Sequence, residues 1–301
     1  MTDGRHWQVL AASAVGAAHA VKGEPEQDAM AVLPTAATAG TAGPIAVAVA
    51  DGHGHRQHFR SRRGAQLAVE VGCQVTLAYA GAVAAAANGE AATRLGQAEV
   101  APAIVRRWWE VVASDAAATP LSDDEAERGG LGTEEMDRDP WLAYGSTLLV
   151  VLTAGRFVLC LQIGDGSVVA IDDGGATSTP IPNDARLDGV RTTSLCQTDA
   201  TAQFRVGVLD IAVEPLRAVM AATDGYGNAQ IDNSWEPTVG RDLEQLLRER
   251  GTAWVGANLG EWVTRCASAQ GSGDDTTVAL LVRVGDADPN TASAADTTWQ
   301  L

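Results

Sequence analysis

The sequence predicts an α+β fold built on antiparallel sheets, and three observations carry that prediction. Short apolar runs of β type recur along the chain, divided by tight turn signals. The clearest two, Thr147–Thr153 and Phe157–Ile163, are separated only by Ala154-Gly155-Arg156, the spacing of a hairpin. Helical periodicities are bunched, two after the third strand and two before the last, so the strict βαβ alternation of a doubly wound parallel sheet is absent.

In chain order, strands are expected at Trp7–Ser13, Asp28–Leu33 and Ile45–Ala50, with Gly40-Thr41-Ala42-Gly43-Pro44 as a turn. Leu67, Val71, Val75 and Ala78 repeat at three-to-four spacing and make Gly64–Ala80 a helix; Ile104, Trp108, Val111 and Val112 do the same for Ala103–Ala113. Ser114 to Pro140 is polar and acidic, and reads as a mobile flap or a disordered excursion. After the hairpin come Gly164-Asp165-Gly166, strands Ser167–Ile171 and Ala218–Ala222, helices Arg241–Arg250 and Asn258–Ala269, and a last strand, Thr277–Val284. Many strands are continuous Val, Leu and Ala, the pattern of strands covered on both faces. Nothing divides residues 1–285 into two domains, and the small polar tail 286–301 reads as disordered.

Composition excludes several function classes. With 21 Lys and Arg against 38 Asp and Glu the net charge is −17, which disfavours nucleic acid or an anionic membrane as partner. Only 5% of the chain is aromatic, so small aliphatic residues must fill the core. Cys73, Cys160, Cys196 and Cys266 stand far apart without metal-ligand spacing and read as buried small hydrophobes. The start MTDGRHWQVL lacks the pattern of a signal peptide, and the turn at 153–156 breaks the most apolar stretch; the expectation is a cytoplasmic protein without a membrane span.

The chemistry-bearing signal is acidic residues at strand ends. Val49-Ala50-Asp51-Gly52-His53-Gly54 runs an apolar strand into Asp and then a flexible turn that can present a main-chain carbonyl. Alone, Asp-Gly is a common turn dipeptide. The pattern recurs, however, at Thr223-Asp224-Gly225, at Asp274-Asp275-Thr276-Thr277, and at Glu26-Gln27-Asp28. Carboxylates converging on one sheet edge repel each other unless cations neutralise them, and an oxygen-only donor set suits Mg²⁺ or Mn²⁺. A pair of such ions is apparatus for phosphate-ester hydrolysis.

The ordered series Gln27-Asp28, Asp51-Gly52-His53-Gly54, Gly145-Ser146-Thr147, Gly164-Asp165-Gly166, Thr223-Asp224-Gly225 and Asp274-Asp275-Thr276-Thr277-Val278 resembles the metal-dependent type 2C (PPM) protein serine/threonine phosphatases, bacterial branch. The resemblance implies a four-layer α-β-β-α sandwich of two antiparallel sheets flanked by helices, with a dinuclear Mn²⁺ or Mg²⁺ centre at one edge. It implies that Asp51 bridges the two ions, that the Gly52 carbonyl binds one, that Asp224 and Asp274 complete the other, and that Asp28 holds a bound water or ligates directly. Asp165 matches a position that helps bind a weaker third ion in some members. His53 matches the general acid that protonates the leaving seryl or threonyl oxygen, with a histidine's usual pKa near 6.5. The implied substrate is a phosphorylated protein, in partnership with a cognate Ser/Thr kinase system.

This chain departs from that pattern at several positions. Gln27 stands where a Glu ligand is frequent, Asn228 where Asp is frequent, and Asp275 where Asn is usual. No Arg precedes Gln27 to grip the substrate phosphate; His19 and Lys22 are the nearby candidates. His55 and His58 read as solvated loop residues and Trp108-Trp109 as packing, while Arg56, Arg60, Arg62 and Arg63 offer a surface to a phosphoprotein's negative charge. Two alternatives remain: a catalytically weak or dead phosphatase-fold scaffold that binds phosphoproteins, favoured by Gln27 and Asn228, and a phosphatase for small metabolites.

Overall fold

The computed structural model describes residues 5–40, 43–130, 132–184, 187, 192–232 and 234–285. The tail 286–301 and its expected disorder lie outside the described residues. Strand β1 (Arg5–Ala14), helix α1 (Ala17–Lys22), β2 (Ala29–Leu33) and β3 (Ile45–Ala50) lead into α2 (Ser61–Ala78), α3 (Ala80–Ala84), α4 (Gly89–Leu95) and α5 (Ala101–Ala118). Short helices α6 (Asp123–Gly129) and α7 (Thr133–Arg138) and a turn at Pro140–Tyr144 precede β4 (Leu148–Ala154), β5 (Phe157–Ile163), β6 (Ser167–Asp172) and β7 (Thr177–Ser178). Then follow α8 (Ala200–Gln203), β8 (Arg205–Asp210), β9 (Leu216–Ala222), α9 (Asp224–Asn228), α10 (Glu236–Cys266) and β10 (Thr276–Gly285).

The strands form two five-stranded antiparallel sheets, ordered β1-β10-β9-β6-β7 and β2-β3-β4-β5-β8. Strand alternation sorts the apolar side chains into three cores. Along β3, Ile45, Val47 and Val49 pack between the sheets, while Ala46, Ala48 and Ala50 face α2 and α5. Along β10, Ala279 and Leu281 face the other sheet, while Val278, Leu280, Val282 and Val284 face α10. Two helical layers thus cover a sheet sandwich, which is why these strands are apolar on both faces.

Small residues let α2 lie close. A Cβ on Gly64 would come within 1.8 Å of the Tyr144 carbonyl oxygen, and one on Gly72 within 2.9 Å of Val150. Trp108 is fully buried and its indole donates to the Gly64 carbonyl at 3.1 Å; Trp109 donates to Leu195 at 2.8 Å and stacks on Trp141. The two helices expected at 241–250 and 258–269 join as α10, broken at Gly251, whose φ of 80° is outside helical space.

The excursion 114–140 differs from its expected irregular form. Its described residues extend α5 to Ala118 and then build α6 and α7. Ser122 and Glu125 form a reciprocal capping box at the start of α6, so the acidic run Asp123-Asp124-Glu125 sits where a helix dipole favours negative charge. Cys73, Cys160 and Cys196 are buried as expected, and Cys266 is half-buried. Among the described residues, no helix is long and apolar enough to cross a membrane.

Candidate functional site

Strand register gathers the acidic residues at one edge. Ala29 pairs with Ala50, so Asp28 and Asp51, one residue beyond that pair on each strand, lie opposite each other. Ser167 pairs with Ala222, and two residues further out the same register sets Asp165 against Asp224. Asp274 enters the edge at the start of β10, beside the end of β9.

The electrostatics report the convergence. Burial, reinforced by the charges of Asp28, Asp224, Asp274 and Asp165, holds the Asp51 carboxyl well above the usual carboxylate range. Asp28 is pushed up to about 8, mainly by burial and further by Asp275 and Asp224, against hydrogen bonds that lower it. Asp224 is pushed to about 6 by burial, then by Asp165 and Asp274.

Hydroxyl groups fix the acids in place. Thr223 Oγ1 donates to Asp28 Oδ2 at 2.7 Å and accepts the Thr277 amide at 2.9 Å, tying one sheet to the other. The Asp51 amide donates to Thr147 Oγ1 at 2.9 Å, and the Asp51 carbonyl accepts Thr147 N–H at 2.9 Å and Ser146 Oγ at 3.1 Å. Gly52 donates to the Gln27 carbonyl at 3.2 Å; a Cβ there would lie 2.8 Å from the Ser61 backbone and 2.9 Å from Gln27 O, so the close approach needs glycine.

The donor set fits hard divalent cations. It is all oxygen, and two of its buried oxygens, Asp28 Oδ1 and Gln27 Oε1, have no hydrogen-bond partner. Among the described residues, no group of three or more His, Cys, Asp or Glu side chains is set closely enough to hold an ion as it stands. The acids share an edge and a field rather than a closed shell. Asn228 donates to Asp224 Oδ2 at 3.1 Å, and Thr192 to Asp165 Oδ1 at 2.9 Å.

His53 differs from the expected ordinary titrating histidine. Burial, with a smaller contribution from His58, lowers its pKa from 6.5 to about 3, and its buried Nε2 has no partner. His58 also departs from the expected solvated role: its Nδ1 donates to the Leu142 carbonyl at 2.6 Å, and its ring centroid is 5.1 Å from that of His53. Both rings cover Gly145, whose carbonyl accepts the His53 amide at 3.1 Å. His55 is exposed, as expected.

Of the two phosphate candidates, Lys22 is exposed and its Nζ lies 3.8 Å from Glu24. His19 is largely covered, with Nδ1 3.0 Å from Asp275 Oδ1. Asp275 itself is buried and accepts Gly16 N–H at 2.7 Å and Gln27 N–H at 2.6 Å. Sequence reasoning missed this hub, the hydroxyl clamps and the place of Arg60, which is buried and donates twice to Glu125 at 2.8 Å instead of facing a substrate. The Thr residues did stand inside the motif runs, which was the available signal.

Known proteins can now be set beside this geometry. The protein phosphatase 2C family model matches residues 15–264. No curated protein matches the chain. Among solved structures, PppA, described as a key regulatory component of T6SS in Pseudomonas aeruginosa, aligns at 17% identity and TM-score 0.54, over 93% of this chain and 98% of that one. A bacterial serine phosphatase aligns at 14% identity and TM-score 0.58, over 93% and 99%. The catalytic domain of the serine/threonine protein phosphatase PstP, solved with two manganese ions, aligns at 16% and 0.54, over 93% and 99%. At these identities the likeness is one of fold.

Proposed function

The chain belongs to the protein phosphatase 2C family, and from that premise we propose that it hydrolyses phosphoserine and phosphothreonine in proteins with the aid of two divalent cations, Mn²⁺ or Mg²⁺. The observation that carries the reading is the convergence of Asp28, Asp51, Asp165, Asp224 and Asp274, five acids from distant strand ends of both sheets, at one edge of the sandwich, where they share a field.

Asp28, Asp51, the Gly52 carbonyl, Asp224 and Asp274 would hold the cations, with Asp165 available to a weaker third. Bound there, the pair supplies charge neutralisation, a water acidic enough to attack phosphorus near neutral pH, and pull on the phosphoryl oxygens. The remaining work belongs to the chain. Thr223 holds Asp28, and Ser146 and Thr147 hold the Asp51 backbone, so the ligands are fixed before substrate arrives. His53 rests as a neutral ring. An approaching phosphate dianion favours its protonated form, so the ring takes up a proton from solvent as substrate binds and passes it to the departing seryl or threonyl oxygen. Gln27 contributes a neutral oxygen where a carboxylate is frequent. Cysteine chemistry is not needed: burial pushes the Cys73 and Cys160 thiols up to about 12.

The substrate under this reading is a cytoplasmic phosphoprotein maintained by a Ser/Thr kinase. The test is hydrolysis of phosphothreonine peptides with Mn²⁺, abolished by EDTA and by Asp51→Ala or Asp224→Ala. Full activity in Asp51→Ala overturns it. Gln27 and Asn228 are the departures that motivate the scaffold alternative, which calorimetry separates: Mn²⁺ binding without turnover of peptide or metabolite identifies a non-catalytic protein.

A further inference from the structure

In a chain with 38 acidic and 21 basic side chains, residues 52–69 carry no acid and four arginines: Arg56, Arg60, Arg62 and Arg63. The fold sorts them into two kinds. Arg60 turns inward and donates twice to Glu125 at 2.8 Å, and to Thr119 O and the Tyr144 hydroxyl. Arg63 donates to Asp115 at 2.9 Å. Arg56 and Arg62 are exposed and have no acidic partner among the described residues. Elsewhere on this acidic surface Arg94, Arg156 and Arg265 each close on a nearby carboxylate.

Both exposed arginines spring from backbone next to the candidate site. Arg56 opens the turn Arg56–His58, three residues after His53, and its guanidinium lies beside Gly130 of the excursion. Arg62 follows Ser61, whose carbonyl packs against Gly52. Three residues of chain span at most about 11 Å, so the Arg56 backbone stays within that distance of His53. An extended peptide advances ~3.3 Å per residue, which places a group one to three residues from the scissile one within reach.

We infer that Arg56 and Arg62 form a docking subsite for a second phosphate, so that the preferred substrate is a peptide phosphorylated at two nearby residues. A guanidinium matches phosphate by paired hydrogen bonds and keeps its charge at any working pH. A surface of net charge −17 repels such a substrate, and a local basic rim offsets that repulsion where docking occurs. The inference rests on the phosphatase reading for the first phosphate, beside His53.

The test compares three peptides in Mn²⁺: one phosphothreonine, the same with phosphoserine two residues away, and the same with Glu there. Both kcat/KM and Kd by fluorescence anisotropy are measured, on the wild type, Arg56→Ala/Arg62→Ala and Arg56→Lys/Arg62→Lys. The wild type should favour the doubly phosphorylated peptide about tenfold, chiefly in KM and Kd, with Glu intermediate. The alanine pair should erase that ratio and the lysine pair keep part of it. Equal values in the wild type, or a ratio that survives in the alanine pair, overturn the inference. An inactive protein that still prefers two phosphates in Kd keeps it and overturns the phosphatase reading; active turnover with no preference does the reverse.

Discussion

Asp275 Oδ2 accepts the backbone N–H of Gln27 at 2.6 Å across 248 residues of chain, while its other oxygen takes Gly16 N–H at 2.7 Å. Gln27 in turn receives Gly52, so one carboxylate indirectly sets both Asp28 and the Asp51-Gly52 turn. Two amide donors on two different oxygens require a carboxylate. Asp275→Asn turns an NH₂ toward one of them and strands a buried donor, at a cost of about 1–3 kcal/mol. The expected outcome is a lower Tm and several-fold weaker Mn²⁺ binding, although Asn is usual here in the proteins this sequence resembles. A variant matching the wild type in both thermal unfolding and calorimetry would show that the hub does not position the site.

Buried like charges make the cation-free site a source of instability. Asp51 sits where burial and four other acids all oppose its charged form. Asp51→Asn should therefore raise the Tm measured in EDTA, while removing most of the Tm increase that Mn²⁺ gives the wild type. A rise of about 1 kcal/mol corresponds to about 1.5–2 °C at this chain length. If Asp51→Asn lowers the Tm in EDTA, the repulsion is not what that side chain contributes.

How much the sequence discloses depends on whether the deciding contact is local. Ile45–Ala50 and Phe157–Ile163 are legible to the residue, because strands covered on both faces are apolar throughout. Arg205–Asp210 was not foreseen: β8 is an edge strand with polar ends, and Gly207 serves to let Pro180 approach rather than to break a strand. Acids at strand ends announced the site, since Asp next to a Gly turn is a local pattern. The Thr223 clamp on Asp28 spans 195 residues, and the depressed His53 depends on His58 and on the bare Gly145 beneath both rings. The acidic 122–125 run read as solvated because the partner of Glu125, Arg60, sits in a separate basic run.

That partner predicts a pH dependence. Arg60 holds the Glu125 carboxyl down from 4.5 to about 2, with Ser122 adding hydrogen bonds. A carboxyl whose folded pKa is depressed binds its proton more readily when unfolded, so its stabilisation is complete above about 4.5 and fades as the pH falls toward 2. Glu125→Gln, which leaves the buried Arg60 charge unmatched, should cost about 2 kcal/mol at pH 7. The Tm gap between the two proteins should narrow steadily from pH 5 to about 2.5. A gap that stays constant over that interval would mean the ion pair is not its origin.

The leaving group tests His53. A seryl or threonyl alkoxide is a poor leaving group and needs a proton as the bond breaks, whereas p-nitrophenolate departs without one. Among the described residues of the loop that follows Asp51, only His53 is both buried and left with an unpartnered ring nitrogen, Nε2. His53→Asn keeps the backbone bond to Gly145 available and removes the proton donor. Turnover of a phosphothreonine peptide should fall by about 10²–10⁴, and that of p-nitrophenyl phosphate by far less. Equal losses on both substrates would indicate that His53 shapes the loop without supplying the proton, and would shift attention to His58, the ring 5.1 Å away that shares the Gly145 platform.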